Sequence, residues 1–212
     1  MDVKLRVVLA DDHAVVRTGY RRLLELEDDM EVVADFGDSD SACAWFAANS
    51  ADVLVLDLSM PGRGGLETLA RVKARETSPK VLVFSMHDNP AIVDQALKAG
   101  ADGYLTKSSE PDLLIDAVRR VARGERPLSA DVAAARAGAD GAAVHAGLSP
   151  REFEIFRLLA AGRTVEQIAA RLFLSAKTVA NYQTMIRQKT GLSSVLEMYR
   201  HADAHGLLDG SE

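Results

Sequence analysis

An α/β domain followed by an all-α domain is what these 212 residues predict, and three observations carry that expectation. From residue 1 to about 124, short apolar runs alternate with longer segments of helical period. Between 125 and 147 the composition turns to Ala, Gly and small polar residues, which marks a linker and a domain boundary. From 148 to 212, helix-start signals follow one another densely.

In the first region, 5–10, 31–34, 53–56, 81–84 and 104–105 read as five strands. They are continuously apolar instead of alternating, so both faces should be covered, the mark of a parallel sheet with helices on each side. Four helices lie between the strands and a fifth follows. Val16, Tyr20, Leu23 and Leu24 recur at helical spacing in the first, and Leu113, Leu114, Ala117, Val118 and Val121 do so in the fifth. Trp45 and Phe46 are expected to pack the second. Right-handed crossovers send every strand's C-terminal end to one edge of the sheet, where ligands of such folds bind.

That edge collects residues at odds with greasy strands. Asp57 closes the run Val53-Leu-Val-Leu, Asp11 and Asp12 follow the first strand, Ser85 ends the fourth, and Lys107 lies just past the fifth. Carboxylates gathered so closely repel one another, and a hard divalent cation with oxygen ligands, Mg2+ above all, relieves them. An aspartate beside Mg2+, a hydroxyl and an ammonium is equipped to accept a phosphoryl group, because metal and lysine neutralise the charge on its oxygens. Taken alone, the Asp11-Asp12 pair reads equally well as a helix N-cap; Asp57 and Lys107 tip the balance. The glycines from Gly62 to Gly65 match neither phosphate-loop fingerprint. His13 and His87 flank the crevice as loop or cap residues, since one cysteine and no repeated His/Asp spacing argue against zinc.

On these residues, positions 1 to about 124 resemble the receiver domain of bacterial two-component response regulators. The resemblance implies a flavodoxin-like (βα)5 fold in which Asp57 takes phosphate from the phosphohistidine of a sensor histidine kinase. It further implies Asp11, Asp12, Asp57 and the backbone carbonyl of Ser59 as the Mg2+ site. Ser85 is then the hydroxyl that moves toward the phosphoryl group, Lys107 its ion-pair partner, and Tyr104 the aromatic that rotates on activation. Two details depart from the commonest pattern: Ser108 stands where many receivers have proline, and Arg63 adds a charge near the site.

Within the linker, Leu128-Ser-Ala-Asp-Val could form a short helix capped by Ser129, while Gly138, Gly141 and Gly147 favour a flexible connection. Beyond it, Ser149-Pro-Arg-Glu152 is a capping box with proline at the first helical position, and Thr164-Val-Glu-Gln167 is a second box. Ser175 caps a third helix over 176–189, ended by Gly191, and Ser193 or Ser194 caps a fourth. Four short helices with tight turns are a helix-turn-helix with one extra helix. The segment from Leu148 to about Leu208 resembles the LuxR-type DNA-binding domain, and the pair of modules resembles the NarL/FixJ class of response regulators. The resemblance implies a homodimer through the last helix, with Leu196, Tyr199 and Leu207 apolar, reading two half-sites of promoter double-stranded DNA, with RNA polymerase as a further partner.

Charge tempers that expectation. Residues 148–212 hold eight Lys/Arg against seven Asp/Glu, a net of +1, and residues 1–124 hold 15 against 21, a net of −6. Most affinity for DNA comes from phosphate contacts and counterion release, so so small an excess predicts an unusual or weak readout. In the third helix Val179 and Ile186 fit the buried side, leaving Ala180, Asn181, Thr184 and Gln188 outward. The lysine and histidine common in the family are here Ala180 and Tyr182. Lys177, Arg187 and Lys189 remain to hold phosphates, Asn181 and Gln183 are types able to pair with adenine edges, and Thr178 and Thr184 complete the set. A protein-interaction module under receiver control is the competing reading. An aspartate-nucleophile phosphatase is not supported, because the second acid such enzymes place two residues on is Ser59, so the chain is not expected to be an enzyme.

The single cysteine, Cys43, fits a reducing compartment, no apolar run nears the roughly 20 residues of a membrane span, and the N-terminus lacks a secretory signal; the cytoplasm is the expected location. His201 and His205 read as surface or dimer-contact residues.

Overall fold

All five apolar runs pair in parallel in the computed structural model, which describes residues 4–60, 62, 64–137 and 144–208. The strands are β1 (Leu5–Ala10), β2 (Met30–Phe36), β3 (Val53–Leu56), β4 (Lys80–Ser85) and β5 (Gly103–Thr106), in the order β2-β1-β3-β4-β5. The order reverses between β1 and β3, which opens a crevice above their C-terminal ends. The helices are α1 (Ala14–Glu25), α2 (Ser39–Ala48), α3 (Gly65–Lys73), α4 (Pro90–Lys98) and α5 (Pro111–Ala122).

Successive strand residues face opposite sides, so each run feeds two cores. Val7, Leu9, Val53, Val55, Leu82 and Phe84 pack under α1 and α5. Val8, Ala10, Leu54, Leu56, Val81 and Val83 pack under α2, α3 and α4. This is why the strands read as continuously apolar. Trp45 and Phe46 do pack α2, ring edge against ring face at 5.0 Å, with Phe46 fully buried. One expected core position is wrong: Leu113 is 48% exposed, and Ile115 faces inward. Leu114 and Ile115, next to it in α5, are buried, so Leu113 lies just outside the inward arc that Leu114, Ile115, Ala117, Val118 and Val121 share.

The β3–α3 loop folds back beneath the end of β3. A Cβ on Gly65 would stand 2.3 Å from Leu58 Cα and 2.8 Å from the Asp57 carbonyl oxygen, so only glycine permits that close approach. Gly65→Ala is therefore expected to cost about 3 kcal/mol of receiver stability as backbone moves to relieve the overlap. Urea unfolding followed by circular dichroism measures this, and an unchanged midpoint would show that the loop yields without cost.

Part of the segment expected to be a flexible linker packs against the receiver. The Pro127 carbonyl accepts from Tyr104 N–H at 2.9 Å and Ser129 N–H donates to the Tyr104 carbonyl at 3.1 Å, extending the sheet edge beside β5. The short helix then follows as α6 (Ala130–Ala137), with Val132 fully buried and Arg136 paired to Asp94 at 2.8 Å. An alanine-rich segment with one valine thus suffices to cover an open strand edge where composition suggested a linker. Gly138 and Gly141 lie outside the described residues.

A 3-10 turn (Val144–Gly147) leads into α7 (Pro150–Ala160), α8 (Val165–Arg171), α9 (Ala176–Thr190) and α10 (Val195–Ala204). Ser149, Thr164 and Ser194 each make the reciprocal capping box, Ser175 caps α9, and Gly191 ends α9 with φ 73°. Among the described residues, no helix is long and apolar enough to cross a membrane. The two domains meet where α7 packs on α3 and the apolar core on that side of the sheet continues into Phe153, Ile155 and Phe156. Polar ties flank the junction. Asn89 Nδ2 donates to the carbonyls of His205 (2.7 Å) and Gly206 (2.9 Å). Gln95 Nε2, buried, donates to those of His145 (3.4 Å) and Leu148 (3.3 Å).

Candidate functional site

The crevice above β1 and β3 holds Asp11, Asp57 and Lys107 in contact. Lys107 Nζ lies 2.6 Å from Asp57 Oδ2 and 2.8 Å from Asp11 Oδ2, and all three side chains are buried. Burial works against the ammonium, but hydrogen bonds to Asp11 and Asp57 outweigh it and hold Lys107 above the ordinary lysine value. The β5 register places it there, since Lys107 N–H donates to the Ser85 carbonyl at 2.8 Å. Asp12 is more open and pairs with His13 Nδ1 at 2.8 Å; His13 is the N-cap residue of α1 without a capping bond of its own. Ser59 N–H donates to Asp57 Oδ1 at 3.1 Å. Asp11, Asp12 and Asp57 offer hard oxygen donors within reach of one another, a set that suits Mg2+.

Ser85 and Tyr104 belong to a neighbouring group built around His87. Tyr104 O–H donates to the His87 carbonyl at 2.7 Å, the His87 amide stands 3.5 Å from Ser85 Oγ, and His87 Nε2 is 3.3 Å from Ser59 Oγ. Tyr104 is fully buried, and that burial raises its hydroxyl pKa far above the usual phenol. Ser108, where proline was the commoner choice, joins a hydroxyl network instead: Thr106 Oγ1 lies 2.8 Å from Ser108 Oγ and donates to Asp131 Oδ2 at 2.6 Å. Pro61 and Arg63 lie outside the described residues.

Two contributors escaped sequence reasoning. Arg17 donates to the Asp11 carbonyl at 2.6 Å and to Asp35 at 2.9 Å, fixing the loop that presents Asp11 and Asp12; one arginine on an exposed-looking helix face gave no signal. Glu154 of α7 meets the β3–α3 loop, where a Cβ on Gly64 would run into its carboxylate. Its side chain keeps 20% of its surface, but the carboxyl faces the receiver, and desolvation lifts it to about 7 against the pull of Arg151 at 2.9 Å. A carboxyl whose value is raised by docking favours the docked state when protonated; that contribution is full below its ordinary value and is lost as pH rises through about 7. The domains should therefore separate more readily at pH 8 than at pH 6, and Glu154→Gln should flatten that dependence. Small-angle scattering across the range reads it, and an equal slope in the variant would assign the effect to another group.

On the third helix of the C-terminal domain, Lys177, Ala180, Asn181, Thr184, Arg187 and Gln188 are exposed, while Val179 and Ile186 are buried as expected. Among the described residues, none of the receiver covers this face. Thr178 and Gln183 are half-buried, and Thr178 Oγ1 is 2.8 Å from Ser175 Oγ within the cap. Lys189, expected to hold a phosphate, places its ammonium 2.6 Å from the carboxylate of buried Glu152. On α10, Leu196 and Tyr199 are 57% and 45% exposed, but Leu207 is buried, because the chain reverses after α10 and Arg157 donates to the Leu207 carbonyl at 2.8 Å.

A family model described as "Response regulator receiver domain" matches residues 7–119, and one described as "Bacterial regulatory proteins, luxR family" matches residues 146–202. The chain is 40% identical over 206 residues to the transcriptional regulatory protein UhpA of Salmonella typhimurium, covering 97% of this chain and 99% of that one. It is 37% identical over 216 residues to the oxygen regulatory protein NreC of Staphylococcus carnosus, covering 97% and 100%. Among solved structures, RcsB from Salmonella enterica serovar Typhimurium, bound to a promoter in the presence of phosphomimetic BeF3-, superposes with a TM-score of 0.70 at 30% identity over 95% of this chain and 99% of that one.

Proposed function

Because the chain belongs to the response regulators, two-component transcription regulators that join a receiver to a luxR-type DNA-binding domain, we propose that Asp57 is its phosphoacceptor and that a sensor histidine kinase acts through it on dimerisation and promoter binding. The observation that carries this reading is the buried ammonium of Lys107 bridging Asp11 and Asp57 at the reversal point of the sheet.

An Asp57 carboxylate oxygen attacks the phosphorus of the kinase phosphohistidine; the P–N bond breaks, the imidazole leaves with its electron pair, and an acyl phosphate forms on Asp57. Asp11 and Asp12, with Asp57 and the Ser59 carbonyl, would hold Mg2+, which supplies charge neutralisation at the phosphoryl oxygens. Lys107 is already within 2.6 Å of Asp57 and passes to a phosphoryl oxygen as a fixed positive charge. Ser85 Oγ moves inward to donate to another oxygen, which withdraws it from the His87 amide. Tyr104, tied to the His87 carbonyl, follows into the space released.

The output runs through the five residues from Ser85 to Asn89, whose far end holds the carbonyls of His205 and Gly206. Moving Ser85 loosens that tie and biases a pre-existing equilibrium between docked and separated domains. The DNA-facing side of α9 is exposed in the docked state, so control does not rest on occlusion of α9; it rests on the pairing of chains that domain separation permits, for which the exposed Leu196 and Tyr199 face of α10 is the surface. Asn181, Thr184, Lys177 and Arg187 then carry contacts to DNA in the cytoplasm, where RNA polymerase is the further partner; Lys189 serves α7 instead.

Selection of genomic fragments by the purified chain at low and moderate salt, with and without beryllofluoride, tests this. Enrichment of one motif, strengthened by beryllofluoride, supports it. No motif in any state would overturn it in favour of a receiver-controlled protein-interaction module, for which the sparse cations of α9 already argue.

A further inference from the structure

Three imidazoles converge on the face of the C-terminal domain nearest the receiver. His201 and His205 are spaced i, i+4 at the end of α10, a spacing that puts two side chains on one helix face and lets them chelate one ion. His145 approaches from the 3-10 turn before α7, 56 residues away in sequence; its Nδ1 stands 3.0 Å from His201 Nε2. One ligating nitrogen from each ring lies within 4.8 Å of the others. With metal–nitrogen distances of 2.0–2.1 Å, tetrahedral coordination separates its ligands by about 3.3 Å, so the His145–His201 pair is already near that spacing.

The surroundings fit. His145 is buried, with Phe153 at 5.8 Å and Phe156 6.1 Å from His201, a dry wall on one side. His145 is positioned through its own carbonyl, which accepts from Gln95 of α4. His205 Nδ1 lies 2.8 Å from the His201 carbonyl, an orientation that leaves Nε2 as its ligating nitrogen. Lys98 is the cation that opposes a positive ion here. His205 is exposed and supplies both the entry path and the freedom to turn its ring, which now stacks on His201 at a 4.2 Å centroid distance.

We propose that His145, His201 and His205 form a site for a divalent transition metal ion, Zn2+ foremost, with water as the fourth ligand. Hard cations such as Mg2+ prefer the carboxylates at Asp57, so the two sites differ by ligand softness. A bound ion cross-links the turn before α7 to the end of α10, beside the carbonyls that Asn89 and Gln95 hold.

The test is calorimetric titration of the tag-free, metal-stripped full chain with ZnCl2 in excess Mg2+, which occupies the carboxylate cluster. One Zn2+ per chain with a dissociation constant of about 1 µM is expected, since three ligands are near position but one ring must turn. His205→Ala, at an exposed position, should weaken binding by at least about 100-fold with an unchanged unfolding midpoint. Co2+ should give the intense visible absorption of tetrahedral coordination in the parent chain and lose it in the variant. Absence of Zn2+ binding, or binding indifferent to His205→Ala, would overturn the proposal and leave a hydrogen-bonded histidine stack only. Because Asp57→Asn leaves these ligands in place, failure here is separable from failure of the phosphoacceptor reading.

Discussion

Asp57→Asn is expected to give a folded chain that takes no phosphate from acetyl phosphate and whose DNA affinity is the same with and without beryllofluoride. The amide keeps the shape of the carboxyl and the acceptor for Ser59 N–H, so the β3–α3 loop stays in place. What it loses is the anionic oxygen 2.6 Å from Lys107. Stability should hold or rise, since Asp11 still pairs with Lys107 at 2.8 Å while two buried carboxylates no longer share one ammonium. Incorporation should fall at least about a hundredfold, the scale on which loss of a covalent nucleophile acts. Phosphate-affinity electrophoresis after acetyl phosphate treatment measures it. Phosphorylation persisting in the variant would move the acceptor to another residue, Asp11 or Asp12 first.

Much of this site is legible in the sequence because it is written at strand ends. A run such as Val53-Leu-Val-Leu is buried on both faces, so a carboxylate at its end has to stand at the sheet edge, and β1, β4 and β5 place Asp11, Ser85 and Lys107 beside it by the same logic. Capping boxes at Ser149 and Thr164 were equally legible, since residue type and spacing are the mechanism, whereas the choice between Ser193 and Ser194 fell to the structure, which makes a third box at Ser194. What the sequence hides is which of two roles a residue takes when its partner is remote. Lys189 reads as a phosphate cation, yet Glu152, 37 residues earlier, holds it. Leu207 reads as dimer surface, yet the turn at Gly206, φ 61°, returns it to the core. Asn89 is the N-cap of α4 before Pro90, and nothing local foretells its second bond, 116 residues away. His201 and His205 share an i, i+4 spacing, but nothing local joins His145, 56 residues away, to them until the turn before α7 is packed against α10.

That second role of Asn89 gives the other large expected effect. Asn89→Asp keeps the oxygen that accepts Ala91 N–H at 2.9 Å, so α4 stays capped, but replaces the donor facing the His205 and Gly206 carbonyls with a carboxylate oxygen. Gln95→Glu does the same at the buried tie to His145 and Leu148. Losing these donors and setting acceptors against acceptors should disfavour the docked state by about 3 kcal/mol, which moves its equilibrium with the separated state by roughly a hundredfold. The double variant should show a larger radius of gyration in solution without beryllofluoride and bind the selected DNA motif as tightly as the phosphorylated parent. Acetyl phosphate should still label its Asp57, which distinguishes domain release from an unfolded receiver. A variant that labels normally and stays docked would place the hold between the domains in the apolar packing of α7 on α3 instead. One that separates without gaining DNA affinity would detach domain release from pairing through α10 and from control of DNA binding.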